Sequence, residues 1–214
     1  MTTDITGTGA AQAVTATPLA VPDDARAAPA PSARCFGDGD PLYEDYHDTE
    51  WAVPVHGEQA LYERIALEGF QSGLSWITVL RKRPAFREAF AGFDPEVVAG
   101  FGDDDVARLL ADAGIVRNRQ KIEATIANAH ALLALHADGR TLDELVWSFA
   151  PPPRAERPST WQDVPAQTPE SVALAKTLKK LGFRFIGPTT AYAAMQACGL
   201  VDDHLATCPV VLAS

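Results

Sequence analysis

Apolar residues recur every three or four positions through most of this chain, which is the spacing of one helical face. In "GEQALYERIALEGF" the apolar stripe runs through Leu61, Ile65 and Gly69. A longer amphipathic pattern follows in "KIEATIANAHALLALHADG". No stretch alternates apolar and polar residues strictly enough to predict a half-buried strand. The pattern therefore predicts an all-α fold.

Start and stop signals divide this pattern into separate helices. "FDPEVVAGF" places Asp94 at a capping position and Pro95 in the first turn. "DDDVARLLADAG" begins with acidic residues and is expected to end at Gly114. Thr141 and Glu144 have the spacing of a capping box. The sequence therefore predicts several helices with short connections, apart from the linker "PPPRAERPSTWQDVPAQ".

The first 33 residues have a different composition, rich in Ala, Thr, Pro, Gly and Asp and without aromatic residues. Such a segment cannot bury enough apolar surface to offset the entropy lost on ordering. It also lacks a basic start and a continuous apolar run, so it does not resemble a signal peptide. We therefore expect a disordered tail over residues 1–33 and one helical domain over residues 34–214.

Cysteine content and hydropathy indicate the compartment. Cys35, Cys198 and Cys208 are too few for a disulfide framework and are typical of a reducing environment. No apolar run reaches the roughly 18 residues that a membrane span requires. The sequence therefore predicts a cytoplasmic protein that is not inserted in a membrane.

The formal net charge is −10, which by itself argues against a nucleic-acid partner. The basic residues are unevenly distributed, however. "RKRPAFR", "RNRQK" and "KTLKKLGFR" contain four, three and four of the 18 Lys and Arg residues. A local basic face on an acidic protein is compatible with DNA binding.

The stretch "DAGIVRNRQKI", residues 112–122, has the composition of a hairpin between two helices. A turn at Gly114 followed by Arg117, Arg119 and Lys121 would leave main-chain N–H groups free to meet a phosphate. Contacts of that kind bind DNA without reading its sequence. An ordinary helix–helix corner with a solvated basic cap explains the same residues equally well.

Two further stretches contain the components of a ligand pocket. "LEGFQSGLSW" has Glu68 at the end of an apolar stripe, shortly before Trp76, so that a carboxylate would lie beside an aromatic surface. "PLYEDYHDTEW" adds Tyr43, Tyr46 and Trp51. Together they could hold a planar ligand that is cationic or donates hydrogen bonds. A helix-capping Glu with core aromatic residues is the alternative.

Four residues have the chemistry of a zinc site. His204 and Cys208 are four positions apart in "VDDHLATCPV", while Cys35 and His47 lie near the start of the predicted domain. Two Cys and two His complete a tetrahedral structural site with no position for water, and Asp48 could orient a histidine ligand. Because the two pairs are more than 150 residues apart, spacing alone leaves buried core histidines as an alternative.

Several of these stretches occur in the order and spacing of the bacterial DNA-3-methyladenine glycosylase I family. They are "DPLYEDYHDTEW", "LEGFQSGLSWITVLRKR", "DAGIVRNRQKI", "VWSF", "LKKLGFRFIGPTTAYAAMQACGLVDDH" and the final Cys208. The chain resembles this family from about Cys35 to Cys208. The resemblance implies an all-α helix-hairpin-helix DNA glycosylase fold whose two ends are joined by a structural zinc site. It also implies a monomeric DNA repair hydrolase that removes 3-methyladenine from double-stranded DNA without cleaving the strand.

The resemblance also assigns roles to individual residues. The zinc ligands, with one ion per chain, match Cys35, His47, His204 and Cys208. The base-recognition carboxylate, taken here as the catalytic residue, matches Glu68. The aromatic pocket matches Tyr43, Tyr46, Trp51 and Trp76. The DNA contacts are expected from Gln71, Gly73 and Leu74, which could fill the gap in the duplex, and from Gly114, Arg117, Arg119 and Lys121.

The chemistry is consistent with these roles. A base inside a duplex must be flipped into a pocket before its glycosidic bond can be reached, and a damaged base costs less to unstack. Methylation at N3 makes adenine cationic and a good leaving group, so that little acid–base assistance is needed. We therefore hypothesise that Glu68 accepts hydrogen bonds from the base while a water molecule attacks C1′.

Three positions depart from the family pattern. Phe70 replaces a residue that is usually small or Gln, and we expect it to alter the pocket rim or the residues that fill the duplex. Ala52 and Gln120 stand where glycine is usual. Because Gln120 lies in the second helix of the hairpin, we expect its side chain to weaken the close contact between that hairpin and a DNA phosphate.

Two other functions would use some of the same sequence features, the basic hairpin and the metal ligands. A non-catalytic, zinc-containing module that binds damaged DNA would share the hairpin and the metal, but would not need Glu68 beside aromatic residues. A metallohydrolase would need an open position on the metal, whereas two Cys and two His leave none. Release of free base from methylated DNA separates the first of these from the enzyme.

Overall fold

The structure, a computed structural model, describes residues 34–210. In this range the regular secondary structure is entirely helical, which confirms the all-α prediction. The tail predicted for residues 1–33 lies outside the described residues. Between residues 34 and 210, no helix is both long and apolar enough to cross a membrane.

The helices follow one another with short connections, as their start and stop signals predicted. They are α1 (Pro41–Thr49), α2 (Glu58–Gln71), α3 (Trp76–Ala89), α4 (Pro95–Ala99), α5 (Asp103–Ala111), α6 (Arg119–Ala137), α7 (Leu142–Trp147), α8 (Pro169–Lys180) and α9 (Pro188–Ala197). Single 3-10 turns lie at Ala91–Phe93 and, within the predicted linker, at Trp161–Asp163.

Side-chain caps fix most of the helix starts. Asp94 accepts a hydrogen bond from the Glu96 N–H at 2.9 Å, and Thr141 accepts one from the Glu144 N–H at 3.1 Å. One end was predicted wrongly, because α5 ends at Ala111 instead of Gly114. The Asp112 carboxylate accepts the Gly114 N–H at 2.7 Å and forms a separate turn after the helix.

Helix α2 lies at the centre of the fold and packs against α3, α6, α7 and α9. Leu61 and Tyr62 on α2 are fully buried. Phe70 near its end is also fully buried, with its ring 4.6 Å from that of Phe86 on α3. The expectation that Phe70 shapes the pocket rim is therefore wrong, because its side chain points into the core between α2 and α3.

The connection after α1 pairs with the end of α9 through main-chain hydrogen bonds. The Ala52 N–H donates to the Gln196 carbonyl and the Val55 N–H donates to the Cys198 carbonyl, both at 3.0 Å. Ala52 has a φ of 62°, a left-handed conformation that glycine adopts more easily. This conformation gives a physical reason for the family's usual glycine at that position.

Gly199 allows the two segments to approach this closely. A Cβ on Gly199 would lie 2.5 Å from the Pro54 nitrogen, and its φ of 76° is left-handed. We therefore expect Gly199→Ala to lower the free energy of unfolding by about 3 kcal/mol or more, from overpacking and backbone strain together. Urea denaturation followed by circular dichroism would measure the loss.

Gly139 provides the matched control for this substitution. Its φ of 72° is similar, but nothing lies within 4 Å of a Cβ placed there. Gly139→Ala should therefore show only the strain of the left-handed backbone, about 1 kcal/mol. Equal losses from the two substitutions would contradict the close approach at Gly199.

Candidate active site and metal centre

A cavity of about 310 Å³ opens between α1, the end of α2, the start of α3 and α9. Its lining consists of Phe36, Tyr43, Tyr46, Trp51, Glu68, Gln71, Trp76, Trp161, Ala193, Gln196 and Ala197. The structure therefore brings together in one cavity all five residues that were predicted to bind the substrate. Phe36, Trp161 and Gln196 were not predicted to line it.

The aromatic lining follows from the helix positions. Tyr43 and Tyr46 are three residues apart on α1 and so lie on the same face. The Tyr46 ring centroid is 5.3 Å from that of Trp76, and the Phe36 ring meets Trp51 edge to face at 5.0 Å. These contacts give the cavity flat apolar walls that suit a planar ring.

Glu68 lies in the last turn of α2 and is only 4% exposed. Within the described residues, no hydrogen-bond partner meets its buried Oε2 atom or the buried Nε1 of Trp76. Burial raises the pKa of Glu68 to about 8, which the nearby Arg64 cation opposes only in part. Unpaired buried polar atoms are costly, so this acceptor and this donor are suited to a polar ligand in the cavity.

A partly buried ion-pair network joins residues next to the cavity lining. Glu50 accepts two hydrogen bonds from Arg83, both at 2.6 Å, and one from Arg64 at 2.8 Å. Burial would raise the pKa of Glu50, but these hydrogen bonds outweigh it and hold the pKa at about 2. The network thereby holds the side chain of Arg64, which lies one helical turn before Glu68 on α2.

Three of the four predicted metal ligands meet, although they come from distant parts of the chain. The ligand atoms of Cys35, His47 and Cys208 all lie within 4.8 Å of one another, and could hold a metal ion. The Cys208 Sγ atom is 3.6 Å from His47 Nε2. His204 lies outside this group of three, but its ring centroid is 5.0 Å from that of His47.

Carboxylates orient both histidines. His47 Nδ1 is 2.8 Å from Asp48 Oδ1, and His204 Nδ1 is 2.7 Å from Asp202 Oδ1. When Nδ1 donates to a carboxylate, Nε2 carries the lone pair that can bind a metal, and such pairs are usual around metal-bound histidines. In this structure the His47 Nε2 atom accepts the Cys35 main-chain N–H at 3.2 Å. The His204 Nε2 atom is buried without a hydrogen-bond partner in the described structure, which fits a missing ligand contact. Asp202 was not predicted, although it stands two residues before His204.

The turn between α2 and α3, residues 71–75, borders the cavity. Gln71 lines the cavity, Gly73 has a left-handed φ of 83°, and Leu74 is 41% exposed. The Leu74 N–H closes the turn by donating to the Gln71 carbonyl at 2.6 Å. An apolar side chain is thus presented to solvent next to the cavity.

The predicted hairpin at residues 112–122 is more closely packed than expected. Arg117 and Arg119 are exposed, and Arg119 pairs with Glu123 at 3.3 Å. Gly114 is needed for packing, since a Cβ there would lie 2.9 Å from the Ala85 Cβ. The two arginines thus remain at the surface, whereas Gly114 serves the contact with α3.

Lys121 requires a correction, because it was predicted to contact DNA. Its side chain is buried, and its Nζ donates to the Phe70 carbonyl at 2.8 Å and the Ser72 carbonyl at 2.6 Å. Burial lowers its pKa. The ammonium group is therefore not available to a phosphate, since main-chain carbonyls at the end of α2 already bind it.

The turn between α8 and α9 has the features that the sequence predicted for residues 112–122, namely exposed basic residues beside the start of a helix. Lys179, Lys180 and Arg184 are exposed around it, and the N-cap residue of α9 is Gly187, which makes no side-chain cap hydrogen bond. Its N-terminal N–H groups therefore lack the side-chain acceptor that Asn118 supplies to α6. The basic cluster "KTLKKLGFR" was the sequence signal for this second candidate hairpin.

Comparisons with known proteins agree with one another. A profile of the family described as methyladenine glycosylase matches residues 36–211. The chain is similar to DNA-3-methyladenine glycosylase 1 of Escherichia coli (strain K12), with 50% identity over 170 residues, or 79% of this chain and 91% of that protein. Its fold is similar to the crystal structure of 3-methyladenine DNA glycosylase I, with a TM-score of 0.80 and 49% identity over 82% of this chain and 98% of that one. Its fold is also similar to a structure of 3-methyladenine DNA glycosylase I from Staphylococcus aureus, which was solved to explain 3-methyladenine recognition. The TM-score is 0.79 and the identity 36%, over 85% of this chain and 97% of that one.

Proposed function

Because this chain belongs to the methyladenine glycosylase family, we propose that it is a hydrolase that breaks the N-glycosidic bond of 3-methyladenine in alkylated DNA. The observation that carries the proposal is the unpaired, buried carboxylate of Glu68 in an aromatic cavity. A cationic purine would supply both the charge and the hydrogen-bond donor that this carboxylate lacks. The aromatic walls would stack on the two faces of the base.

The reaction then needs little from the protein beyond positioning. The damaged nucleotide leaves the duplex and enters the cavity, where Glu68 accepts hydrogen bonds from the exocyclic amine. The bond between C1′ and N9 breaks and the N3-methylated base departs as a neutral molecule, while a water molecule bonds to C1′ and loses a proton to the solvent. Lysine is absent from the described cavity lining, which supports hydrolysis without a Schiff base and therefore without strand cleavage.

We also propose a structural zinc ion bound by Cys35, His47, His204 and Cys208. The support is the cluster of three ligand atoms, the unpartnered Nε2 of His204 and the carboxylate behind each histidine. Such an ion would cross-link the two ends of the described domain. It would take no part in the reaction, because four protein ligands leave no position for water or substrate.

The substrate surface is proposed to include Arg117 and Arg119 together with the α8–α9 turn. These groups are exposed cations, and α9 adds an uncapped helix N-terminus that suits a phosphate. Leu74, from the turn beside the cavity, would enter the space that the flipped base leaves. We propose duplex DNA as the substrate, a monomer as the active form and the cytoplasm as its location.

The test of the activity is release of free 3-methyladenine from methylated duplex DNA, detected by chromatography and mass spectrometry. Unmethylated DNA of the same sequence is the control. A gel without alkaline treatment should show intact strands. Retention of the protein on methylated DNA without release of base would support the non-catalytic binding module instead.

Leu74→Ala tests the turn beside the cavity. Because an inserted apolar side chain compensates part of the unstacking cost, we expect excision from duplex DNA to slow about tenfold, equal to about 1.4 kcal/mol. Inhibition by free 3-methyladenine should not change, since the cavity stays intact. Val97→Ala is the matched control, because Val97 is a similarly exposed apolar residue on α4. Equal excision rates for the two variants would exclude this role for Leu74.

A further inference from the structure

Lys121 is a buried lysine whose position does not stabilise its own helix, α6. It lies in the first turn of α6, where the positive end of the helix dipole disfavours a cation. Its side chain is also removed from water, which lowers its pKa. The favourable contacts of this ammonium group are made at the end of α2 instead.

Those contacts add charged hydrogen bonds at the end of α2, beside the bond that closes the turn itself. Many helices end with a left-handed residue whose N–H groups bond the last free carbonyls. After α2, Gly73 is left-handed, but Ser72 before it is extended with φ −46° and ψ 114°. The Leu74 N–H therefore closes a turn onto the Gln71 carbonyl. The Lys121 ammonium donates to the carbonyls of Phe70 and Ser72, on both sides of Gln71. Hydrogen bonds from a charged donor are stronger than neutral ones.

Lys121 itself is held in place by its own helix. Its main-chain N–H donates to Asn118 Oδ1 at 3.2 Å, and its carbonyl accepts from the Thr125 hydroxyl at 3.0 Å. The backbone that supports the ammonium group is therefore fixed on both sides. Because its backbone is fixed, the Lys121 side chain can hold the turn after α2 in one shape.

We propose that Lys121 is a positioning residue that holds the 71–75 turn in the shape required to flip the damaged base, an inference that rests on the proposed function. The turn presents Leu74 to solvent and Gln71 to the cavity. Lys121 donates to the Ser72 carbonyl inside this turn and to the Phe70 carbonyl just before it. The Leu74 N–H bonds the Gln71 carbonyl, and Ser75 bonds forward to Thr78 on α3. Without the ammonium group, Leu74 would sample other positions, while Glu68 one turn earlier and the tyrosine wall on α1 would keep theirs.

The experiment compares Lys121→Met with Tyr62→Phe. Tyr62 donates to the Thr125 carbonyl at 2.8 Å, so Tyr62→Phe also removes a buried hydrogen bond between α2 and α6, away from the turn. Excision is measured in single turnovers on methylated duplex and on the same methylated single strand, with inhibition by free 3-methyladenine as a readout of the cavity.

For Lys121→Met we expect a roughly tenfold loss of rate on duplex DNA, the size of a 1.4 kcal/mol change. The single strand, which needs no gap filled, should lose less than about twofold. Inhibition by free 3-methyladenine should be unchanged. Equal losses on the two substrates, or the same pattern in Tyr62→Phe, would show that Lys121 acts only on stability and would overturn the proposal.

A double-mutant cycle with Leu74→Ala tests whether Lys121 acts through the turn. The combined variant should be about tenfold slower on duplex DNA, as each single variant is, whereas a hundredfold loss would mean independent roles and overturn the proposal. If Lys121→Met does not fold, Lys121→Gln replaces it under the same criteria. A wild-type protein that releases no base would refute the proposed function itself, while an active wild type with an equally active Lys121→Met refutes only the role of Lys121.

Discussion

Glu68→Gln is expected to lower kcat/KM for 3-methyladenine release by about 100-fold, which corresponds to roughly 3 kcal/mol. The amide has nearly the same shape as the carboxylate, but it carries no charge to attract a cationic base. Hydrogen bonds to charged groups contribute more than neutral ones, and a buried site increases the difference. Steady-state release from methylated duplex DNA would measure the effect.

The same substitution should make the protein more stable at high pH. Burial raises the folded-state pKa of Glu68 to about 8, above its ordinary value of 4.5. The folded protein therefore favours the neutral acid, and this stability is present below the ordinary pKa and lost as the pH rises through 8. Gln stays neutral throughout. Above pH 8 we expect the free energy of unfolding of Glu68→Gln to exceed that of the wild type by a few kcal/mol, at about 1.4 kcal/mol per pKa unit. Near pH 4 the two values should differ little.

The wild-type pH profile follows from the same carboxylate. Because kcat/KM reports ionisation of the free enzyme, it should rise towards a plateau as Glu68 ionises near pH 8. Glu63→Gln is the control, since Glu63 lies on the same helix and pairs with Arg87 away from the cavity. Its activity and pH profile should match the wild type. Full excision activity in Glu68→Gln would refute the role given to this residue.

Cys208→Ser is expected to reduce the zinc content and to destabilise the fold. Loss of a ligand from a closed metal site should cost on the order of 4 kcal/mol. For a domain of this size that is a fall in Tm of about 10 °C. Metal analysis and thermal denaturation, with and without a chelator, would measure both effects. The chelator should lower the Tm of the wild type and change that of Cys208→Ser little.

Cys198→Ala is the matched control for the metal site. Cys198 is also buried, but it lies at the end of α9 and outside the metal cluster. Its substitution should leave the metal content unchanged and cost only the packing of a small side chain. If removal of the metal abolished base release while leaving the Tm unchanged, the metal would have a chemical role and the structural assignment would be wrong.

The helices were predictable because their signals are local. Apolar spacing and capping residues such as Asp94 and Thr141 act within a few positions, so a single sequence contains them in full. The cavity residues were identified because long motifs resemble a known family. Trp161 was missed because it lies in a proline-rich connection whose composition indicates only a surface linker.

Lys121 shows why the remainder could not be predicted. In the sequence it belongs to a basic cluster, and its neighbours Arg117 and Arg119 are indeed exposed. Its ammonium group instead meets carbonyls about 50 residues earlier in the chain. Main-chain acceptors carry no residue-type signal, so contacts of this kind become visible only when the helices are packed. The short chain distance between Asp202 and His204 was, by contrast, a signal that could have been used.

The proposed metal ligands lie against the wall of the proposed base cavity, and this has a consequence for how the protein folds. Phe36 lines the cavity directly after Cys35, and the Trp51 ring centroid lies 4.6 Å from that of His204. The wall is therefore complete only after residues 35–47 have met residues 204–208, a closure of more than 150 residues that is slow compared with helix formation. We expect a newly synthesised chain to acquire most of its helices early and its ability to bind a base last.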